Sequence, residues 1–222
     1  MRRTTIAAIL LATSLCSTKA AVVWTGGTST DPFEDSNWDF SGSAETAVDS
    51  NVSIEDDITI TNGNIEIPNL AGQVRLQIGN GFTMTLDNSI LGVVAGGNDG
   101  VGGQPSGTGV TVNVTNGSQL NPFFVVNAVT VNVDASSSAS FGGGGTPINI
   151  STVNLTPGSS LTLASLAEFT EQGAKIFVNG VSFSEDTSIL SFSGNTGTAI
   201  PEPTGLALLG LAGLACCLRR RR

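Results

Sequence analysis

Carboxylates are the reactive groups this chain has in quantity, and few partners for them are present. Eighteen Asp and Glu stand against nine Lys and Arg, there is no His and no Tyr, and Cys occurs only as Cys16, Cys216 and Cys217. Without His, and with no Cys between residues 21 and 200, nucleophilic catalysis of the Ser-His-Asp or Cys-His kind is excluded. Zinc lacks its usual nitrogen and sulfur ligands for the same reason. A Ser-Lys dyad would rest on Lys175, which sits in an apolar, strand-like run and reads better as an edge residue with its amine in water. Two carboxylates suffice for a glycosidase, and Asp56-Asp57 is an adjacent pair. On a strand such neighbours point to opposite faces, so they share a cleft only on a loop. Asp31, Glu34, Asp35 and Asp39 offer oxygen ligands of the type calcium takes. Among them lie Trp24, Phe33, Trp38 and Phe40, which either stack on a sugar or cover the open end of a β stack; covering is the expectation. No catalytic, cofactor-binding or metal residue is assigned, no cofactor is expected, and the body reads as non-enzymatic.

The elements that must carry these residues are short strands. Ile58-Thr59-Ile60, Ile65-Glu66-Ile67, Val110 to Val114, Val129 to Val133, Ile148-Asn149-Ile150, Val153-Asn154-Leu155, Leu161-Thr162-Leu163 and Ile176-Phe177-Val178 all alternate apolar and polar residues. Period-two alternation marks half-buried strands, and the pairs Asn62-Gly63, Asn116-Gly117 and Asn179-Gly180 mark tight turns. Comparable positions recur at Val112, Val131 and Val153, at spacings of 19 and 22 residues. Such an imperfect period predicts an all-β, right-handed parallel β-solenoid whose coils bury their apolar positions by stacking. An antiparallel β-sandwich is the alternative, because Asn-Gly turns also close hairpins. One helical piece is expected before the tail, across Leu161 to Gln172. The glycine-rich stretches 96–103 and 142–145 read as flexible loops between coils; neither has the lysine of a phosphate-binding loop.

Charge narrows the partners. Residues 21–200 hold 17 acidic groups against Arg75 and Lys175, a formal charge of −15. A surface of that sign repels phosphate backbones, so no nucleic-acid partner is expected. The body has no Cys and is held without disulfides.

The two ends are the most explicit part of the chain. Arg2 and Arg3, the apolar run Ile6 to Leu15, and Thr18-Lys19-Ala20 form the three parts of a secretory signal peptide over residues 1–20, with cleavage between Ala20 and Ala21. The body follows over residues 21–198. Residues 199–222 then hold Pro201-Glu202-Pro203, an apolar run at 204–218, and Arg219, Arg220, Arg221 and Arg222. The prolines resist helix and keep their motif extended. The apolar run has no polar face, and as a helix it would cover about 22 Å, short of the roughly 30 Å of a bilayer's hydrocarbon core. Snorkelling arginines and local thinning reduce that mismatch. The four arginines act as a stop and, by the positive-inside rule, keep their own end cytoplasmic and the body outside.

Pro201-Glu202-Pro203, a short apolar helix and a terminal arginine cluster resemble the PEP-CTERM sorting signal, over residues 200–222 only. The resemblance implies export, recognition by the membrane protease-transpeptidase exosortase, and release or attachment at the surface of a Gram-negative-type bacterium. It implies as partners the general secretion machinery, exosortase and the inner membrane, and an exopolysaccharide or biofilm setting in which exopolysaccharide is a further candidate partner. Trp24-Thr25-Gly26-Gly27 followed by Ser36-Asn37-Trp38 also resembles the opening of exported bacterial β-repeat proteins. The expected function is a non-enzymatic cell-surface or matrix protein; a carbohydrate-binding surface module is the alternative, with a glycoside hydrolase or polysaccharide lyase behind it.

Overall fold

A computed structural model describes residues 21–105 and 109–201. Of the positions assigned above, Ala21 and Pro201 fall within it. Ala20, Glu202, Pro203 and Arg219 to Arg222, with the signal peptide and the membrane helix, lie outside the described residues.

The described chain is mostly β, a parallel solenoid of about five turns with one short α-helix. Each coil visits three sheets in a fixed order, so strands of one sheet are separated in sequence by a whole coil. A long sheet holds nine strands, a middle sheet seven and a short sheet five. In the long sheet Asp57–Thr61, Thr83–Asp87, Val110–Thr115, Val129–Val133, Thr152–Leu155 and Ile176–Val178 run parallel. Val112 pairs with Val131 and Val131 with Val153, so the spacings of 19 and 22 residues are the true coil lengths there. That parallel pairing removes the sandwich alternative. Antiparallel pairing is confined to the ends.

The alternation explains the burial. Ile58, Met84, Val112, Val131, Val153 and Ile176 stack in one column of the interior, each 0–1% exposed. Ile65, Leu91, Leu120, Ala139 and Leu161 form the matching column of the middle sheet. Every coil therefore lends apolar surface to its two neighbours, and no coil has a core of its own. Asn62-Gly63 and Asn116-Gly117 turn the chain from the long sheet to the middle one, with Asn62 at φ 54° and Asn116 at φ 56°. The same dipeptide at Asn179-Gly180 does close a hairpin, between Ile176–Val178 and Val181–Ser182.

Three expectations need correction. The stretch 96–103 is no loop throughout: Gly100–Gly103 is an interior strand of the short sheet, between Arg75–Ile78 and Phe124–Val126. The helix covers only Leu166–Gln172, because Ser160–Leu163 is drawn into the middle sheet beside Ser138–Phe141. Ile150, read as the end of an alternating strand, instead turns a corner at φ 52° with its side chain 71% exposed.

Both ends of the stack are closed. At the start, Trp38–Asp39 pairs antiparallel with Ala21–Trp24, and the two indoles meet edge to face at 5.0 Å. At the finish, Phe169, Phe183 and Phe192 pack edge to face, and the hairpin of Leu190–Ser193 with Thr196–Ala199 covers the middle sheet. Sheet edges left open invite pairing with other chains, and these caps blunt them.

Candidate functional site

The acidic candidates are dispersed by the fold, each into local hydrogen bonds, most of them with backbone N–H groups. Asp31 accepts from the Phe33 N–H at 2.8 Å and Asp35 from the Val48 N–H at 3.0 Å. Glu34 accepts from the Thr28 and Ser29 hydroxyls at 3.1 and 2.8 Å. Asp39 accepts from the Ser41 N–H at 2.8 Å, and its hydrogen bonds from Ser41 hold its carboxyl below the usual range. No cluster of three or more metal-ligating side chains forms among the described residues. Asp57 opens a strand and accepts from the Thr83 N–H at 2.9 Å, while Asp56 accepts from the Asp57 N–H at 2.8 Å. Asp57 thereby serves the join between two coils, and Asp56 is buried just ahead of the strand.

Trp24 and Trp38 are each 6% exposed, and the Trp38 indole N–H donates to the Pro32 carbonyl at 2.8 Å. Phe33 and Phe40 pack against the same core. The aromatic cluster covers the end of the stack, as expected, and Trp24 also lines a hollow of about 410 Å³ with Thr28, Asn62 and Asn64. Lys175 is half-buried and donates to the Ile148 carbonyl at 2.6 Å and to Gln172 Oε1 at 2.8 Å.

The outward face of the long sheet is a regular polar array. Thr83, Thr111, Thr130 and Thr152 align in one column, and Thr59, Thr85, Asn113, Asn132 and Asn154 in the next. Asn132 donates to Asn113 Oδ1 at 3.0 Å, and Asn154 donates to Asn132 Oδ1 at 2.9 Å. These amides are engaged with one another, and the carboxylates on this face are Asp57, at the head of the threonine column, and Asp87, between Thr61 and Thr115.

The outward face of the short sheet is different. There Gly100 and Gly102 leave a trough between Arg75–Ile78 and Phe124–Val126, with Arg75, Gly100 and Phe124 side by side. The Phe124 ring lies over Gly100, where an added Cβ would press on the ring and approach the Phe124 carbonyl oxygen to 2.6 Å. The Phe123 ring lies against Gly143, where a Cβ would sit 3.2 Å from the ring and 2.7 Å from the Phe123 carbonyl oxygen. The two glycine-rich stretches are thus the seats of two consecutive aromatic rings. Two contiguous hollows, of about 190 and 320 Å³, open over this face. Gln73, Phe124, Val126 and Asn149 line both, Phe123 lines the first, and Arg75 and Asn127 the second. Arg75 is tied by its Nε–H to Asn51 Oδ1 at 3.2 Å, and it meets no carboxylate among the described residues.

Sequence reasoning did not find this surface. Arg75 stood out as one of two body cations, but Phe123-Phe124 and the amides carry no spacing signal. The usable clue was the pairing of an aromatic doublet with glycine runs roughly one coil before and after it. Comparison with known protein families, with curated proteins and with solved structures gives no match for this chain.

Proposed function

We propose that this chain is a non-enzymatic surface or extracellular-matrix protein, exported through the general secretion machinery and processed by exosortase. The observation that carries the reading is the tail: Pro201-Glu202-Pro203, the apolar run 204–218 and Arg219 to Arg222. The position of the tail supports it. The last strand is Thr196–Ala199, and the Ile200 N–H donates to the Ile189 carbonyl at 2.9 Å. Packing thus reaches Ile200, so the folded body extends to the residue before the motif. No helix among the described residues is long and apolar enough to cross a membrane. The apolar run 204–218 is the proposed anchor on its composition. Cleavage before Ala21 would leave intact the strand Ala21–Trp24, which pairs in the long sheet. The coils are right-handed in this reading, the sense that parallel strand crossovers almost always take.

The body's part is to be a stiff, acidic, disulfide-free spacer. Its shared interior resists bending at any single coil, and its charge of −15 keeps copies apart in solution. The carbohydrate-binding alternative draws on one observation, the aromatic and amide-lined hollows of the short sheet.

The test is membrane fractionation with immunoblotting in the native host. Glu202→Ala should insert normally and accumulate unprocessed in the inner membrane. If that variant reaches the surface and is processed like the parent, the sorting assignment fails.

A further inference from the structure

The short-sheet face is built differently from the rest of the surface, and its parts are complementary to a particular chemistry. One aromatic ring, Phe123, stands half-buried at its margin on a glycine seat, and a second, Phe124, forms the floor over Gly100. Amide side chains of Gln73, Asn127 and Asn149 lie around them, each bringing both donors and an acceptor. Asn127 uses one donor on the Gly103 carbonyl at 3.1 Å, which fixes the amide at the rim. The Arg75 guanidinium is steadied by Asn51 through Nε alone, and its two terminal amino groups have no partner among the described residues. In a body of 17 acidic groups, a cation without a carboxylate beside it is a local charge that a ligand can answer.

We infer that this face binds a saccharide bearing a carboxylate, a uronic-acid residue flanked by neutral sugars, with the sugar ring on Phe123 and the carboxylate on Arg75. Sugar rings present an apolar face of C–H groups to an aromatic ring and a rim of hydroxyls to amides. The planar guanidinium takes a carboxylate through two parallel hydrogen bonds, a geometry a lysine would not supply. The hollows are open; the larger, at about 320 Å³, sits at the low end of the roughly 300–1,000 Å³ of small-ligand pockets and the smaller lies below it, which fits one or two rings laid along the face. The body charge sets a further limit. A dense polyanion would be repelled by the surrounding acids, so the ligand carries isolated carboxylates among neutral residues. This assignment rests on the chain being exported, where such a glycan would be met; binding by purified protein tests the groove with no export step, so the two can fail separately.

The experiment is calorimetric titration of the full chain in detergent micelles with two probes. One is a disaccharide of glucuronic acid linked to a neutral hexose, and the other is the same disaccharide with its carboxyl reduced to the alcohol. The acidic probe should bind about tenfold more tightly, the gain from one charge-assisted bidentate contact. Arg75→Gln should erase that preference while leaving the neutral probe's affinity unchanged. Phe123→Leu should weaken both probes by similar factors, with unaltered circular dichroism showing that the variants are folded. Equal affinity for the two probes, no binding of either, or a preference that survives Arg75→Gln would overturn the assignment. Tighter binding of a short peptide ending in a free carboxylate than of the acidic disaccharide would overturn it too.

Discussion

The long sheet and the short sheet belong to the same coils, and yet they present opposite kinds of surface. Outward positions of the long sheet repeat Thr and Asn in register, and Asn113, Asn132 and Asn154 hydrogen-bond in a chain. Outward positions of the short sheet read Arg75, Gly100 and Phe124 in one column, and Gln77, Gly102, Val126 and Asn149 in the other. The first pattern spends its polar groups within the protein; the second leaves hollows, rings and a cation facing outward. A solenoid's interior fixes what its coils must share, whereas each outer face is free to vary. Regularity therefore marks the face that supports the stack, and irregularity marks the face with chemistry to offer.

Mutations can sharpen that contrast, and the largest effect should come from the shared interior. Met84, fully buried between Ile58 and Val112, should lose about 2–5 kcal/mol of stability on truncation to Ala. Its outward neighbour Thr85 should tolerate Val within about 0.5 kcal/mol; urea unfolding of the two variants measures both. On the short sheet an outward position should be sensitive as well. Gly100→Val places a branched side chain against the Phe124 ring and should cost about 1–3 kcal/mol or more. An unchanged urea midpoint would mean that Phe124 does not rest on Gly100.

Smaller effects probe the polar array and the corner between the two sheets. Asn132→Ala removes one donated and one accepted ladder bond and should cost about 1–2 kcal/mol, read as a lowered thermal midpoint. Ile150→Asn should raise that midpoint, through a stability gain of about 1 kcal/mol, since Asn accepts a left-handed backbone that a β-branched residue resists and little burial is lost.

The smallest effect is a pH dependence. At Asp134 partial burial pushes the carboxyl up, but hydrogen bonds from Ser137, the Asn116 N–H and Ser136 together outweigh it and hold the pKa below the usual range. A depressed folded-state pKa contributes stability above the unfolded value, and that contribution is lost as pH falls through the folded one. Asp134→Asn should therefore lower stability at neutral pH, by well under about 1 kcal/mol for so exposed a group. The difference from the parent should vanish in strong acid, below the carboxylate range.

By itself the sequence determined the local pattern. Alternation placed the strands, Asn62 and Asn116 placed corners, and Val112, Val131 and Val153 carried the coil length, because these signals are contained in a few consecutive residues or in their repetition. The reading of the tail, from Pro201 to Arg222, likewise comes from motif and hydrophobicity. Tertiary structure decided what depends on a neighbour one coil away. Gly100–Gly103 has no strand propensity and becomes a strand because Leu76 and Val125 flank Val101 on either side. Leu161 to Leu163 fits a helix as well as a strand, and pairing with Ala139 to Phe141 settles the choice. The hollows unite Gln73 and Arg75 with Phe123, Phe124, Val126 and Asn149, a proximity created by stacking that no window of consecutive residues contains.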